Sequence, residues 1–116
     1  MSNFNQWIGM GNLTRDPQLS YLPNKTAVVE FGLAVNRKWK KEDGSQGEEV
    51  LFIECQAFDK RAEVITKYFS KGSAIFVQGR LKLERWEKSG ETHTRIRVVV
   101  LGFEFIGGTQ RATNES

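Results

Sequence analysis

The stretch that decides the fold runs from Val50 to Gly72, VLFIECQAFDKRAEVITKYFSKG. Its first nine residues alternate: Leu51, Ile53, Cys55 and Ala57 form a uniformly apolar parity, and Val50, Phe52, Glu54, Gln56 and Phe58 form the other. A period of two is the signature of a strand with one face in a core. After Asp59, which can cap a helix, the period changes. Ala62, Ile65, Tyr68 and Phe69 fall at i, i+3, i+6 and i+7, one helical stripe over Lys60 to Ser70, and Gly72 suits the position just past a helix end. A strand hands over directly to a single helix.

Period two dominates everywhere else. Upstream, Phe4 to about Leu13 reads as a strand interrupted by Gly9 and Gly11, where a bend or bulge is expected. A loop holding the only two prolines, Pro17 and Pro23, follows. Ala27 to about Lys40 is a strand of about 45 Å at ~3.3 Å per residue, long enough for its far end to project from a small core. The polar connection Lys41 to Glu49, with Gly44 and Gly47, joins it to Val50–Phe58 as a long hairpin. Downstream of the helix, Ser73 to Trp86 and His93 to Ile106 are two more strands, separated by the polar loop Glu87 to Thr92.

Three strands, one helix and two strands is the element order of the OB-fold, a mostly all-β, five-stranded Greek-key barrel with its helix between strands three and four. A β-sandwich or an SH3-like barrel does not call for a full helix at that point. The domain is expected to span 1–106. Residues 107–116 contain no large apolar side chain and read as a flexible tail.

Composition narrows the function. A chain of 116 residues is one ordinary domain, and its lone Cys55 excludes an internal disulfide and agrees with a reducing compartment. No apolar run approaches the roughly 18 residues of a membrane span, and no secretory signal pattern opens the sequence, so a cytoplasmic location is expected. The net charge of +3, from 17 Lys and Arg against 14 Asp and Glu, is weak by itself. What matters is whether cations and aromatics share a face.

Strand parity says that they do. Phe52 and Phe58 lie on the polar parity of their strand. In the next strand Ile75, Val77, Leu81 and Leu83 share one parity, while Arg80, Lys82 and Trp86 share the other and stay in step even with a bulge at Gly79. Trp39 sits in the run Asn36-Arg37-Lys38-Trp39-Lys40-Lys41, past the length a small barrel buries. An aromatic side chain stacked on a nucleobase contributes about 1–3 kcal/mol per base with little sequence dependence, and Lys and Arg neutralise phosphates. A duplex hides the base faces, so such a surface selects single strands. A protein-interaction module or an RNA-binding domain on the same barrel would show the same features.

The chain resembles bacterial-type single-stranded DNA-binding proteins over about residues 3 to 106. The resemblance is carried by Gly11-Asn12-Leu13 with Arg15-Asp16-Pro17, Tyr21-Leu22-Pro23-Asn24, Ala34-Val35-Asn36-Arg37, Trp39, Phe58-Asp59-Lys60, Ala62-Glu63, Tyr68, Lys71-Gly72, Gln78-Gly79-Arg80-Leu81 and Arg85-Trp86. It implies a homotetramer of OB-fold subunits, associated with the nucleoid, that wraps single-stranded DNA in replication, recombination and repair without catalysis or a cofactor. The family's stacking aromatics map onto Trp39, Phe52, Phe58 and Trp86, with Phe52 at a position often Trp. Its phosphate contacts map onto Lys60, Lys71 and Lys82, to which position and charge add Arg37, Arg80 and Arg85. Three features depart from the pattern. Glu54 and Glu84 place negative charge where members often carry a cation. Trp7 replaces a β-branched aliphatic and is expected in the core or a subunit interface. The sequence also carries no acidic tip of the Asp-Asp-Asp-Ile-Pro-Phe type, through a shortened chain or a biology without that recruitment route, so recruited replication and repair proteins are not supported as partners.

Other motifs carry less. Gly9-Met10-Gly11 followed by Thr14 lacks the third glycine of a dinucleotide fingerprint. His93 and Cys55 are the only residues of their types, too few for a zinc site or a Cys-His nucleophile, so no metal or catalytic residue is expected. Cys55 has core parity. The three Asn-X-Ser/Thr triplets are idle without export.

Overall fold

β-Branched and aromatic residues at alternate positions build each long strand, and the computed structural model, which describes residues 2–106, closes them into a barrel. In chain order the elements are β1 (Trp7–Leu13), β2 (Gln18–Tyr21), β3 (Ala27–Lys40), β4 (Gln46–Phe58), α1 (Asp59–Tyr68), β5 (Ala74–Lys88) and β6 (Glu91–Phe105). The sheet order is β1-β5-β6-β4-β3-β2, and β1 also pairs with β3 through Asn12–Ala34 and Leu13–Leu33, so five strands form the closed barrel. All pairings are antiparallel except β4–β6, which run parallel from Glu54–Arg97 to Gln56–Val99. This is the OB-fold. The expected tail, 107–116, lies outside the described residues.

Leu13, Val29, Phe31, Leu33, Cys55, Ala57, Ile75, Val77, Val98 and Val100 belong to the core from the strands, and Ala62 and Ile65 of α1 with Phe69 just past its end plug one end. Burial pushes the Cys55 thiol up to about 12, leaving it a packed, unreactive group. Trp7 packs against this core with its indole over Gly9. Two glycines allow the closest backbone approaches. A Cβ on Gly11 would collide with the Ala34 carbonyl oxygen where β1 closes onto β3, and one on Gly79 would collide with that of Val99. No helix among the described residues is long and apolar enough to cross a membrane.

The structure differs from the sequence reading in several places. The proline loop contains a short edge strand, β2, paired with the start of β3. The first hairpin tip is tighter than expected, because Arg37 and Lys38 face Glu49 and Glu48 across the strands and extend the ladder to Lys40–Gln46. The second tip shrinks to Ser89-Gly90, both at positive φ (54° and 80°), the two-residue turn that matches strand twist. No bulge falls at Gly9 or Gly11, through which β1 pairs with β5 in unbroken register, and the register shift at Gly79 has its extra residue, Leu101, on β6. Asp59 makes no side-chain cap. Phe58 is the N-cap residue, and Asp59 supplies the positive φ of 58° that turns the chain from β4 into α1. Tyr68, read as part of the core stripe, is 58% exposed at the helix end. Leu51 and Leu83 keep core parity but lie beyond the closed barrel and are exposed.

Candidate nucleic-acid interface

The buried parity of each strand fixes the opposite, outer face of the β3–β4–β6–β5 sheet. On β4 that face carries Phe52, opposite Ala34, and Phe58, opposite Val28. Six residues along one strand put these two rings about 20 Å apart. The pairs Glu54–Arg97, Lys82–Arg97, Glu84–Arg95, Trp86–His93 and Arg80–Val99 place Arg80, Lys82 and Trp86 on the same face, with Arg95, Arg97 and His93. Phe52 is 68% exposed and Trp86 42%, while Phe58 is half-buried beside α1. The His93 ring stacks on Trp86 at 5.6 Å and 21°, and the Arg95 guanidinium lies 5.4 Å from the Trp86 ring centre.

Charge on this face is organised in two clusters. Arg15 reaches from the loop after β1 to grip Glu54 with both amino groups, at 2.8 and 3.1 Å. That guanidinium holds the Glu54 carboxyl below its usual range, and Glu54 in turn raises Arg15. Glu84 gathers Arg95 at 3.2 Å, Arg97 at 3.4 Å and Lys82 at 3.8 Å. The Arg97 side chain, only 5% exposed, crosses over β4 from β6 to bond Glu30 of β3 at 2.8 Å. Gln56, on β4 opposite Glu30, is buried, and its side-chain oxygen has no donor among the described residues. Glu54 and Glu84 are therefore matched by cations, and five cations (Arg15, Arg80, Lys82, Arg95, Arg97) stand against three carboxylates (Glu30, Glu54, Glu84).

The remaining candidates lie elsewhere. Trp39, opposite Gly47, and Arg37, opposite Glu49, share the parity of Leu33 and so occupy the other face of the β3–β4 hairpin. Trp39 covers Gly47, is 36% exposed, and has the Arg37 guanidinium 4.7 Å from its ring centre. Arg85, opposite Thr94, likewise faces away from Trp86. Lys60 lies in the first turn of α1, next to Phe58. Lys71 follows the helix, where its backbone N–H donates to Asp16 at 2.8 Å. Sequence reading passed over Arg15, Arg95, Arg97 and His93. Parity on 93–97 opposite to the buried Val98 was the available signal for three of them, whereas Arg15 sits in a loop with no periodicity.

A closed OB barrel that sets exposed aromatic rings among arginines and lysines on one sheet face has the architecture of the barrels that take up single-stranded nucleic acid. Residues 4–106 match the Single-strand binding protein family, and the chain belongs to it. It is 52% identical over 104 residues to the single-stranded DNA-binding protein of Helicobacter hepaticus, covering 89% of this chain and 61% of that one. Its identity to the Wolinella succinogenes protein of the same name is 42%, over 89% of this chain and 64% of that one. The chain thus spans about three-fifths of the length of these relatives. A structure of a Plasmodium falciparum SSB complex with ssDNA superposes with a TM-score of 0.82 at 20% identity, covering 91% of this chain and 97% of that one. A deletion mutant of the single-stranded DNA binding protein from Thermus aquaticus gives 0.79 at 30% identity, over 93% and 53%.

Proposed function

We propose that this chain binds and protects single-stranded DNA without sequence preference in replication, recombination and repair, acting by binding and not by catalysis. The observation that carries the reading is the convergence of Phe52, Phe58 and Trp86 with Arg80 and Lys82 on one outer face. Bases stack on the rings and phosphates meet the cations, and neither contact depends on which base is present. Trp39 with Arg37, Arg85, Lys60 and Lys71 supply further contacts where the strand passes the hairpins and the helix. A cytoplasmic place at the nucleoid follows from that role.

Intrinsic tryptophan fluorescence titrated with oligo-dT tests it. The expected result is strong quenching at micromolar protein, with affinity falling by about 0.7 log unit per phosphate contact for each log unit of salt. Some four contacts then give roughly 50-fold weakening between about 50 and 200 mM salt. Absence of quenching together with a flat salt response would overturn the reading.

The homotetramer belongs to the same proposal. Ile8 and Met10 are exposed on the outer side of β1 beside Phe76 of β5, and Trp7–Gly11 pairs with β5 along only one edge among the described residues. An apolar surface with an open strand edge suits a second subunit. A sedimentation mass of one subunit at micromolar concentration would refute it.

A further inference from the structure

The foot of the barrel carries an aromatic cluster that the outer-face site does not use. Phe105 stacks on Phe69 at 4.8 Å and 9°, and Tyr68 meets Phe105 edge-on at 6.0 Å and 81°. Tyr68 and Phe105 are nevertheless 58% and 59% exposed, and with Ser73, Ala74 and Ile106 they line a cleft of about 350 Å³. The Lys67 ammonium lies 5.3 Å from the Tyr68 ring centre. Exposed rings with a cation close to their centres occur at two other places, Trp39 with Arg37 and Trp86 with Arg95.

The charges on the helix point to the same occupant. Lys60 and Lys67 are seven residues apart, which puts them on one side of α1 about 10 Å from each other, with Glu63 between them on the same side as a single opposing charge. Among the described residues Lys60, Lys67 and Lys71 enter no ion pair, in contrast to the paired Arg15, Arg37, Lys82, Arg95 and Arg97. Glu104 is opposite Phe76 and faces away from the cleft. Phe58 opens this helix and Tyr68 closes it, about 15 Å apart along the axis.

We infer that Tyr68 and Phe105, with Lys67 and Lys71, form a further stacking station for single-stranded DNA that leaves the outer face at Phe58 and follows the lysine side of α1. The inference rests on the proposed function. A π surface beside unpaired cations, continuous with the Phe58–Lys60 end of the outer face, matches the alternation of base and phosphate along a single strand.

The test is the affinity of oligo-dT from about 4 to about 16 nucleotides, the range of site sizes per OB barrel. The proteins compared are wild type, Tyr68→Ser, Tyr68→Phe, Lys67→Gln and Phe52→Ala, with thermal melting as the check on folding. Tyr68→Ser is expected to remove at least about fivefold of the affinity gained on lengthening the oligonucleotide, and Tyr68→Phe to restore it. Lys67→Gln should make the salt slope shallower by about 0.7 for the longer ligands. If Phe52→Ala weakens binding while Tyr68→Ser and Lys67→Gln match wild type at every length, this station is overturned and the outer-face reading stands. A wild type that binds no oligo-dT overturns both.

Discussion

Glu84→Gln should move stability and DNA affinity in opposite directions. The substitution keeps the shape of the side chain and an oxygen for Arg95, but removes the negative charge that faces Arg95 at 3.2 Å, Arg97 at 3.4 Å and Lys82 at 3.8 Å. Arg97 retains Glu30 at 2.8 Å, so the nearly buried guanidinium is not left unpaired. The loss is then that of charge assistance on a hydrogen bond, about 1 kcal/mol, or some 5 °C in melting temperature for a domain of this size.

On binding, the carboxylate opposes any phosphate brought to the same face. At about 7 Å the repulsion is between ~0.6 and ~2.4 kcal/mol for effective dielectric constants of 80 and 20, and screening over a Debye length of about 8 Å reduces this to roughly 0.25–1 kcal/mol. The variant should therefore bind oligo-dT about 1.5- to fivefold more tightly at physiological salt and by more at low salt, with Lys82 freed for a phosphate and a slope steeper by about 0.7. Thermal melting and fluorescence titration at two salt concentrations measure both halves. Weaker binding by a folded E84Q at low salt would refute the account of Glu84 as an anchor for the arginines whose charge opposes DNA.

Three other outcomes are expected. Phe52→Ala should leave the fold intact, since the ring is 68% exposed, and weaken oligo-dT binding by about 5- to 150-fold, whereas Phe52→Trp should tighten it; equal affinities for all three proteins would contradict stacking at this position. Gly79→Ala drives a methyl into the Val99 carbonyl and should cost about 1–3 kcal/mol, read as a lower urea midpoint, and an unchanged midpoint would show that the β5–β6 bulge yields freely. Arg15 holds the Glu54 carboxyl low, so its stabilisation is present above the ordinary carboxylate value of about 4.3 and is lost as pH falls through the depressed value. Both partners are more than a third exposed, so wild type should exceed Glu54→Gln by no more than about 1 kcal/mol at neutral pH, and a gap that persists in strong acid would contradict the ion pair as its source.

The barrel was legible because its strands obey period two and its helix breaks it once, between Phe58 and Gly72. What escaped the reading obeys neither period. β2 has four exposed residues paired with the edge of β3, so no alternation marks it. The strand segments Arg37–Lys40 and Gln46–Glu49 look like solvated loop taken one at a time, and become strand only when aligned, because Lys38 then faces Glu48 and Arg37 faces Glu49. That information is pairwise and non-local, and a one-dimensional period does not contain it. Tyr68 shows the converse failure: the helical stripe is real, with Ala62, Ile65 and Phe69 buried, but Tyr68 lies at its margin and is exposed.

Parity also decides what the site can be, in a way that a list of aromatic residues does not. Phe52 and Trp39 belong to one hairpin yet lie on opposite faces, since their partners Ala34 and Gly47 fall on opposite parities of the β3–β4 ladder. A single strand of DNA that stacks on both must pass around the hairpin edge, where Lys38 and Lys40 are exposed on the face opposite Trp39. Trp86 and Arg85 repeat the division on the second hairpin. Aromatic rings and cations on both sides of two projecting hairpins are wasted on a straight ligand lying in one groove, and are all within reach of a flexible one that wraps. The flexibility is a property of unstacked single strands, so under the proposed function the same division that separates the candidate residues into two faces would select a single strand as the ligand able to engage them together.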